Sequence, residues 1–284
     1  MAQELEIKLT LSRESSRQAY EWLLDQEGAS PGARKQLINT YFDTGEADLN
    51  RRRAALRIRQ AGECFIQTLK TQGEFVNGAH RRQEWEWEVP SADLDFSLLA
   101  KTSLANDLDL GQLGPVFETN FERQVVMLDD GEAVIECAFD TGEIRSGRQS
   151  VPLCELEFEL KSGDEARLLV WARKLAEQVP FFINLISKAE QGYHLAGIHE
   201  PEPLPADADA VTRFFHGVSV LWLNGEVTSE LSAAMGELES KLEGNTVRAA
   251  GSPGDVNLLD DLKANPVPMQ VQGLGRLQLA LLGC

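Results

Sequence analysis

The segment QELEIKLTL at residues 3–11 alternates without a break: Glu4, Glu6 and Lys8 fall on one side, Leu5, Ile7 and Leu9 on the other. A period of two sends successive side chains to opposite faces of an extended chain, so a half-buried β-strand is predicted here. Ser12 predicts the N-cap of a helix running to about Gln26, and Gly28 to Gly32 a loop. Strands are expected at about 35–43, 54–60, 63–71 and 80–89, then a turn-rich, partly helical insertion over about 91–113. More strands follow at about 116–128, 132–140, 143–150 and 152–160. Ser162 and Glu165 predict a capping box for a helix through about Val179, with Leu168, Leu169, Ala172, Leu175 and Ala176 at helical spacing. A shorter helix is expected from near Ser187 to near Gly197. Many strands at short intervals, with hairpin-like gaps such as Ala61-Gly62 and Asp130-Gly131, predict an antiparallel sheet or barrel.

His199 to Pro205 holds three prolines and two glutamates and reads as a linker. Beyond it, helices are expected at about 207–223 and 226–243, with a weaker one near 255–264 after a Gly/Pro-rich stretch at 244–254. The predicted division is therefore residues 1–200 and a short helical appendage at 201–284. The apolar side chains Val218, Leu221 and Trp222 would pack on the first unit or on a second subunit, so a homodimer is one expectation.

Composition changes this picture in two ways. The net charge of −18 argues against nonspecific nucleic-acid binding. No apolar run approaches the roughly 18 residues of a spanning helix, and the opening alternation does not resemble a secretory leader, so a cytoplasmic protein without a membrane partner is expected. The four cysteines share no metal or redox spacing and the four histidines form no HExxH pair. Against the acidic background, residues 50–82 carry Arg51, Arg52, Arg53, Arg57, Arg59, Lys70, Arg81 and Arg82 against only Glu63 and Glu74. Such a block has either a local anionic partner or a solvated face.

The charges that share strand faces bear on that choice. Arg57 and Arg59 share one; Arg82, Glu84, Glu86 and Glu88 share one; Glu136 and Asp140 share one; Glu155, Glu157 and Glu159 share one, backed by Leu156, Phe158 and Leu160. A polar face in water accounts for any one of these strands alone. It accounts less well for the set, in which one face is all acid and another all arginine. Like charges so placed repel, and a cation among the glutamates or an anion among the arginines would relieve that cost. Arginine forks match phosphate oxygens, and carboxylates suit Mg²⁺ or Mn²⁺ bridging to phosphates. No GxxxxGK[ST] loop is present, so phosphate binding would come from strand side chains.

These residues resemble, in order, the motifs of the CYTH family, the triphosphate tunnel metalloenzymes. E-L-E-I-K (Glu4, Glu6, Lys8) is similar to its ExExK motif. L-R-I-R (Arg57, Arg59), Q-T-L-K (Lys70), H-R-R-Q-E (Arg82, Glu84), F-E-R (Arg123), A-F-D (Asp140), C-E-L-E-F-E-L (Glu155, Glu157, Glu159) and S-K-A-E-Q-G-Y-H (Lys188) follow over about residues 3–195. The resemblance implies an α+β fold: an eight-stranded antiparallel β-barrel forming a triphosphate tunnel, with flanking helices. It implies that Lys8, Arg57, Arg59, Lys70, Arg82, Arg123 and Lys188 hold the triphosphate. Glu4, Glu6, Glu157 and Glu159, with Glu155 and Asp140, would hold one or two Mg²⁺ or Mn²⁺ ions. Glu4, Glu6 and Lys8 would position and activate the attacking water.

Within the family the likeness is to bacterial inorganic triphosphatases, which implies hydrolysis of tripolyphosphate to pyrophosphate and phosphate. Those proteins usually continue into a basic helical CHAD domain. The tail here has one histidine and five basic side chains, so polyphosphate binding there is not expected. An adenylate cyclase or a thiamine triphosphatase on the same scaffold is the alternative, and a non-catalytic polyphosphate-binding module the alternative of another class. Trp85 and Trp87 face opposite to Arg82 and Glu84 and are read as core rather than as a thiamine cradle.

Overall fold

The opening alternation becomes strand β1 (Ala2–Thr10), with Leu5, Ile7 and Leu9 buried in the core. The computed structural model describes residues 2–70, 74–76, 79–102, 108–198, 201, 204–205, 207–243, 255–264 and 266–282, with residues 2–4, 74–76, 79–83, 242–243, 255–257 and 270 described by backbone alone. Ser12 caps α1 (Arg13–Leu24) as expected, its Oγ accepting the Ser15 amide at 3.0 Å. Ser15, Ala19 and Leu23 recur every four residues along the buried face of that helix.

The remaining strands are β2 (Ala29–Asp43), β3 (Ala55–Ala61), β4 (Cys64–Lys70), β5 (Glu74–Val76), β6 (Ala79–Val89), β7 (Gly114–Asp129), β8 (Ala133–Ser146), β9 (Gln149–Gly163) and β10 (Phe182–Ile183). They form one antiparallel sheet in the order β10-β1-β9-β8-β7-β2-β3-β4-β6-β5, and β1 also pairs with β6. The expected eight-stranded barrel is corrected to this ten-stranded sheet, whose order ends in two short strands the periodicity did not reveal. The reason lies in β1. One of its edges is divided, Ala2–Glu6 pairing with β6 and Leu9–Thr10 with β10, while Glu6–Thr10 pair with β9 on the other edge.

Three boundaries also differ. The predicted loop at Gly28–Gly32 is already strand from Ala29, with a register shift between Pro31 and Arg34 that accommodates the proline. The strands expected at 132–140 and 143–150 are one continuous strand, β8. Gly142 sits inside it because a Cβ there would lie 2.1 Å from the Asn120 carbonyl oxygen and 2.5 Å from the Phe121 Cα. The predicted capping box also fails, because Ser162 still belongs to β9. The helix begins later, as α4 (Ala166–Ala176), where Asp164 accepts the Ala166 amide.

Short helices α2 (Asp48–Arg51) and α3 (Phe96–Leu99) connect strands, and α5 (Lys188–Leu195) lies against β7, β8 and β9. The tail forms α6 (Ala210–Asn224), α7 (Ser229–Glu243), α8 (Asp255–Ala264) and α9 (Leu274–Leu281), the last not predicted. Phe214, Phe215, Val218 and Leu221 of α6 and Leu274, Leu277 and Leu281 of α9 share one core with Leu5, Ile7 and Leu9 of β1 and Leu156 and Phe158 of β9. The buried Gln278 side chain closes this contact: its Oε1 accepts the Ile183 amide at 2.6 Å and its Nε2 donates to the Ile183 carbonyl at 3.1 Å. No described helix is long and apolar enough to cross a membrane.

A chain cut after residue 200 therefore loses the cover of its main core. Each fully buried Leu or Phe contributes about 1.5–3 kcal/mol, so a thermal melt of residues 1–200 should show a large loss of stability. An unchanged melting temperature would show that the tail is only an appendage.

Candidate active site

Strand register gathers the candidate residues. Across β1 and β9, Lys8 faces Glu157 and Glu6 faces Glu159. Glu155 faces Asp140 across β9 and β8, and Asp140 faces Arg123 across β8 and β7. Across β3 and β2, Arg59 faces Asn39 and Arg57 faces Tyr41, while Lys70 faces Glu84 across β4 and β6. Directly opposed residues project to the same side of a sheet, so all of these line one charged face. Glu4 and Arg82 are backbone partners across β1 and β6; their side chains lie outside the described residues.

One half of the face is a buried ionic cluster. Ser187 caps α5 with a complete capping box, and this first turn delivers Lys188 to the strands. Gly192 lets the helix come down on the Phe117 ring, which would meet a Cβ at 2.1 Å. Lys188 Nζ lies 2.8 Å from Asp140 Oδ2, 2.6 Å from Glu155 Oε2 and 2.7 Å from Glu157 Oε1. Arg123 grips Asp140 with two nitrogens, at 2.7 and 2.6 Å, and Glu157 at 2.6 Å. Gln191 donates to the free oxygen of Glu155 at 2.8 Å.

Charge decides the protonation states here. Burial pushes Lys188 down, but Asp140, Glu155 and Glu157 outweigh it and hold the ammonium well above its usual range. Burial likewise opposes the Arg123 cation, and Asp140 and Glu157 again more than offset it. Glu157 is pushed up by burial and brought well below the usual carboxylate range by Lys188 and Arg123. Lys188, Arg123 and Glu157 are therefore charged at neutral pH.

The other half is basic. Lys70 Nζ lies 2.9 Å from Glu84 Oε2, and Arg57 Nη2 lies 3.7 Å from Glu84 Oε1. Burial pushes the Tyr41 phenol up, but Arg57, Arg59 and Lys70 together bring it below its ordinary value. Arg59 donates from Nε to Asn39 Oδ1 at 2.8 Å. No carboxylate among the described residues forms an ion pair with it. Burial, then Arg57 and Arg123, push its guanidinium down to about 10. Arg59 is a cation held among like charges with no counter-ion among the described residues.

Asn39, Tyr41, Glu84 and Gln191 were not among the predicted site residues. Asn39 and Tyr41 had a legible signal, two polar-tipped side chains at i and i+2 in a predicted strand. Gln191 stands three residues after Lys188, one helical turn away. Trp85 and Trp87 pack beside Leu56, Leu69 and Leu99, as their position opposite Glu84 predicts.

The acidic side chains are hard oxygen donors, the chemistry Mg²⁺ or Mn²⁺ takes. Among the described residues no three of them form a group placed to hold a metal ion. Asp140, Glu155 and Glu157 converge instead on Lys188. Glu6 and Glu159, opposed on β1 and β9, fit a divalent ion by donor chemistry. Glu159 also takes Lys161 at 2.7 Å.

A CYTH domain model matches residues 2–193. The chain belongs to the CYTH family. It is 32% identical over 201 residues to an inorganic triphosphatase from Haemophilus influenzae, a match covering 69% of this chain and 55% of the relative. The chain thus spans about half the length of that curated relative. Among solved structures, a Hippeastrum protein studied as an adenylyl cyclase and described as having a dominant triphosphatase activity superimposes with a TM-score of 0.52 at 20% identity. That match covers 70% of this chain and 98% of the other, and it shows that the two share a fold.

Proposed function

We propose that this CYTH chain is a metal-dependent hydrolase of inorganic triphosphate, releasing pyrophosphate and phosphate. The observation that carries the reading is Arg59. Two carboxylates engage Arg123 and three engage Lys188, but none among the described residues engages Arg59. A half-buried arginine with no counter-ion among the described residues, beside Arg57 and Lys70, matches a polyanion that is brought in as substrate. The similarity to an inorganic triphosphatase supports the same substrate class.

In this reading Arg57, Arg59, Lys70 and Arg82 bind the chain of phosphates, and Arg123 and Lys188 neutralise the phosphoryl group that is cleaved. Glu6 and Glu159, with Glu4 and Glu157, would hold the ion, and Asp140 and Glu155 fix the cations beside it. When bound, Mg²⁺ or Mn²⁺ neutralises phosphate charge and lowers the pKa of a water molecule. Glu4, Glu6 and Lys8 orient that water. All these residues precede residue 200, so we assign the chemistry to residues 1–200 and a covering role to the tail.

The test is a phosphate-release panel with tripolyphosphate, ATP and thiamine triphosphate, each with Mg²⁺ and with Mn²⁺. The expected order of kcat/KM has tripolyphosphate first, no cyclic AMP from ATP, and no activity in excess chelator. Cyclic AMP as the main ATP product would favour a cyclase, and full activity in chelator would end the metal reading.

A further inference from the structure

Asn39 is fully buried, yet it belongs to no apolar cluster. It sits on β2 between two strands, opposed by Arg59 on β3 and by Thr119 on β7. Its amide is committed at both ends. Nδ2 donates to the Thr119 carbonyl at 2.8 Å, and Oδ1 accepts from Arg59 Nε at 2.8 Å. Turning the amide over would set a donor against the Arg59 Nε–H and an acceptor against the Thr119 carbonyl, so one orientation alone satisfies both neighbours.

This bond is the one hydrogen bond to the Arg59 side chain among the described residues. Without it the guanidinium would swing away from Arg57 and Arg123, whose charges oppose it. Holding Nε from β2 leaves both η nitrogens for a ligand, in the fork that matches phosphate oxygens. A neutral amide suits this task better than a carboxylate. It fixes direction without cancelling the charge that the substrate needs.

We propose that Asn39 is a positioning residue for substrate binding: it anchors Arg59 through Nε and so directs the η nitrogens at the phosphate groups of the triphosphate. The proposal rests on the triphosphate reading for the identity of the ligand, but the Asn39–Arg59 contact stands independently of it.

Two measurements separate those claims. The first is the Arg59 Nε–H resonance of the full chain in the absence of any ligand. It should exchange slowly with water in the wild type and rapidly in Asn39→Ala. The second is a binding cycle by calorimetry with tripolyphosphate in chelator, using Asn39→Ala, Arg59→Ala and the double variant. The expected result is about a tenfold weaker Kd for each single variant and almost no further loss in the double, because Asn39 acts through Arg59. Losses that multiply, or an Arg59 resonance indifferent to Asn39, would overturn the proposal. If the wild type binds no tripolyphosphate, the substrate reading fails, and the resonance still decides whether Asn39 holds Arg59. Should Asn39→Ala not fold, Asn39→Ser takes its place in both measurements. Failure of both variants to fold would assign Asn39 to the sheet instead and overturn the proposal.

Discussion

Lys188→Met should cost about 3–5 kcal/mol of stability, the range found when one partner of a buried ion pair is removed. Its ammonium is shared by Asp140, Glu155 and Glu157, which are all buried. Methionine fills nearly the same volume, so packing is conserved and the loss is electrostatic. Arg123 would still serve Asp140 and Glu157, whereas Glu155 would keep only the neutral Gln191 amide. Three buried carboxylates against one guanidinium repel one another. A urea titration of the full chain measures the effect. Adding Glu155→Gln to Lys188→Met should recover part of the loss, because it removes the carboxylate left without a cation. A change below about 1 kcal/mol, the level of a surface pair, would mean that this ammonium is solvated rather than shared.

The same cluster shows how far the sequence could be read. Alternation in Glu4-Leu5-Glu6-Ile7-Lys8 and in Glu155 to Leu160 identifies strands and assigns their faces, because in a sheet the face of a side chain depends only on its parity. Which strands are neighbours is not periodic. That Arg123 meets Asp140 and Glu157 follows from the order β7-β8-β9 and its register, and that Lys188 reaches them from outside the sheet follows from the placement of α5. The face argument also treated the three glutamates as mutually repelling and in need of a metal. The relief for Glu155 and Glu157 comes instead from two cations of the same chain. Both of these, Arg123 and Lys188, were expected only as phosphate ligands.

Boundaries failed where a local cue had two meanings. The Thr141-Gly142 pair resembles a turn, but Gly142 is glycine because β7 crosses too closely for a side chain. Ser162 and Glu165 have capping-box spacing, but β9 keeps pairing with β8 through Gly163. Phe182 and Ile183 are too short a run to display a period, and they become strand only because β1 offers them an edge at Leu9 and Thr10. The Pro-rich linker predicts a division near residue 200, with the apolar side chains of the tail packing on the first unit or on a second subunit. The apolar faces of α6 and α9 meet that same edge of the sheet through Phe182, Trp222 and Gln278.

Arg59→Met should lower kcat/KM for tripolyphosphate by about 10²–10³, the effect of removing one preorganised donor to developing charge, and should leave stability unchanged or raise it. The two halves of this expectation have one cause. Arg59 is half-buried beside Arg57 and Arg123, the one side-chain hydrogen bond of its guanidinium among the described residues goes to a neutral amide, and that guanidinium is pushed down to about 10. In the free protein the cation is therefore an expense, and an apolar side chain of similar length removes repulsion as well as a desolvation cost. With triphosphate bound the balance reverses, since the anion supplies a counter-charge that none of the described residues supplies. Arg123→Met is the contrast: it strands Asp140 and Glu157, so activity and stability should fall together. The measurement pairs phosphate release with thermal melts of both variants, with and without tripolyphosphate. Ligand bound only to the folded state raises the melting temperature, and that rise should be much smaller in Arg59→Met than in the wild type. An unaltered rate in Arg59→Met would remove the observation on which the triphosphate reading stands. A variant that melts far below the wild type would show instead that Arg59 holds the sheet together, and that its counter-ion lies within the protein.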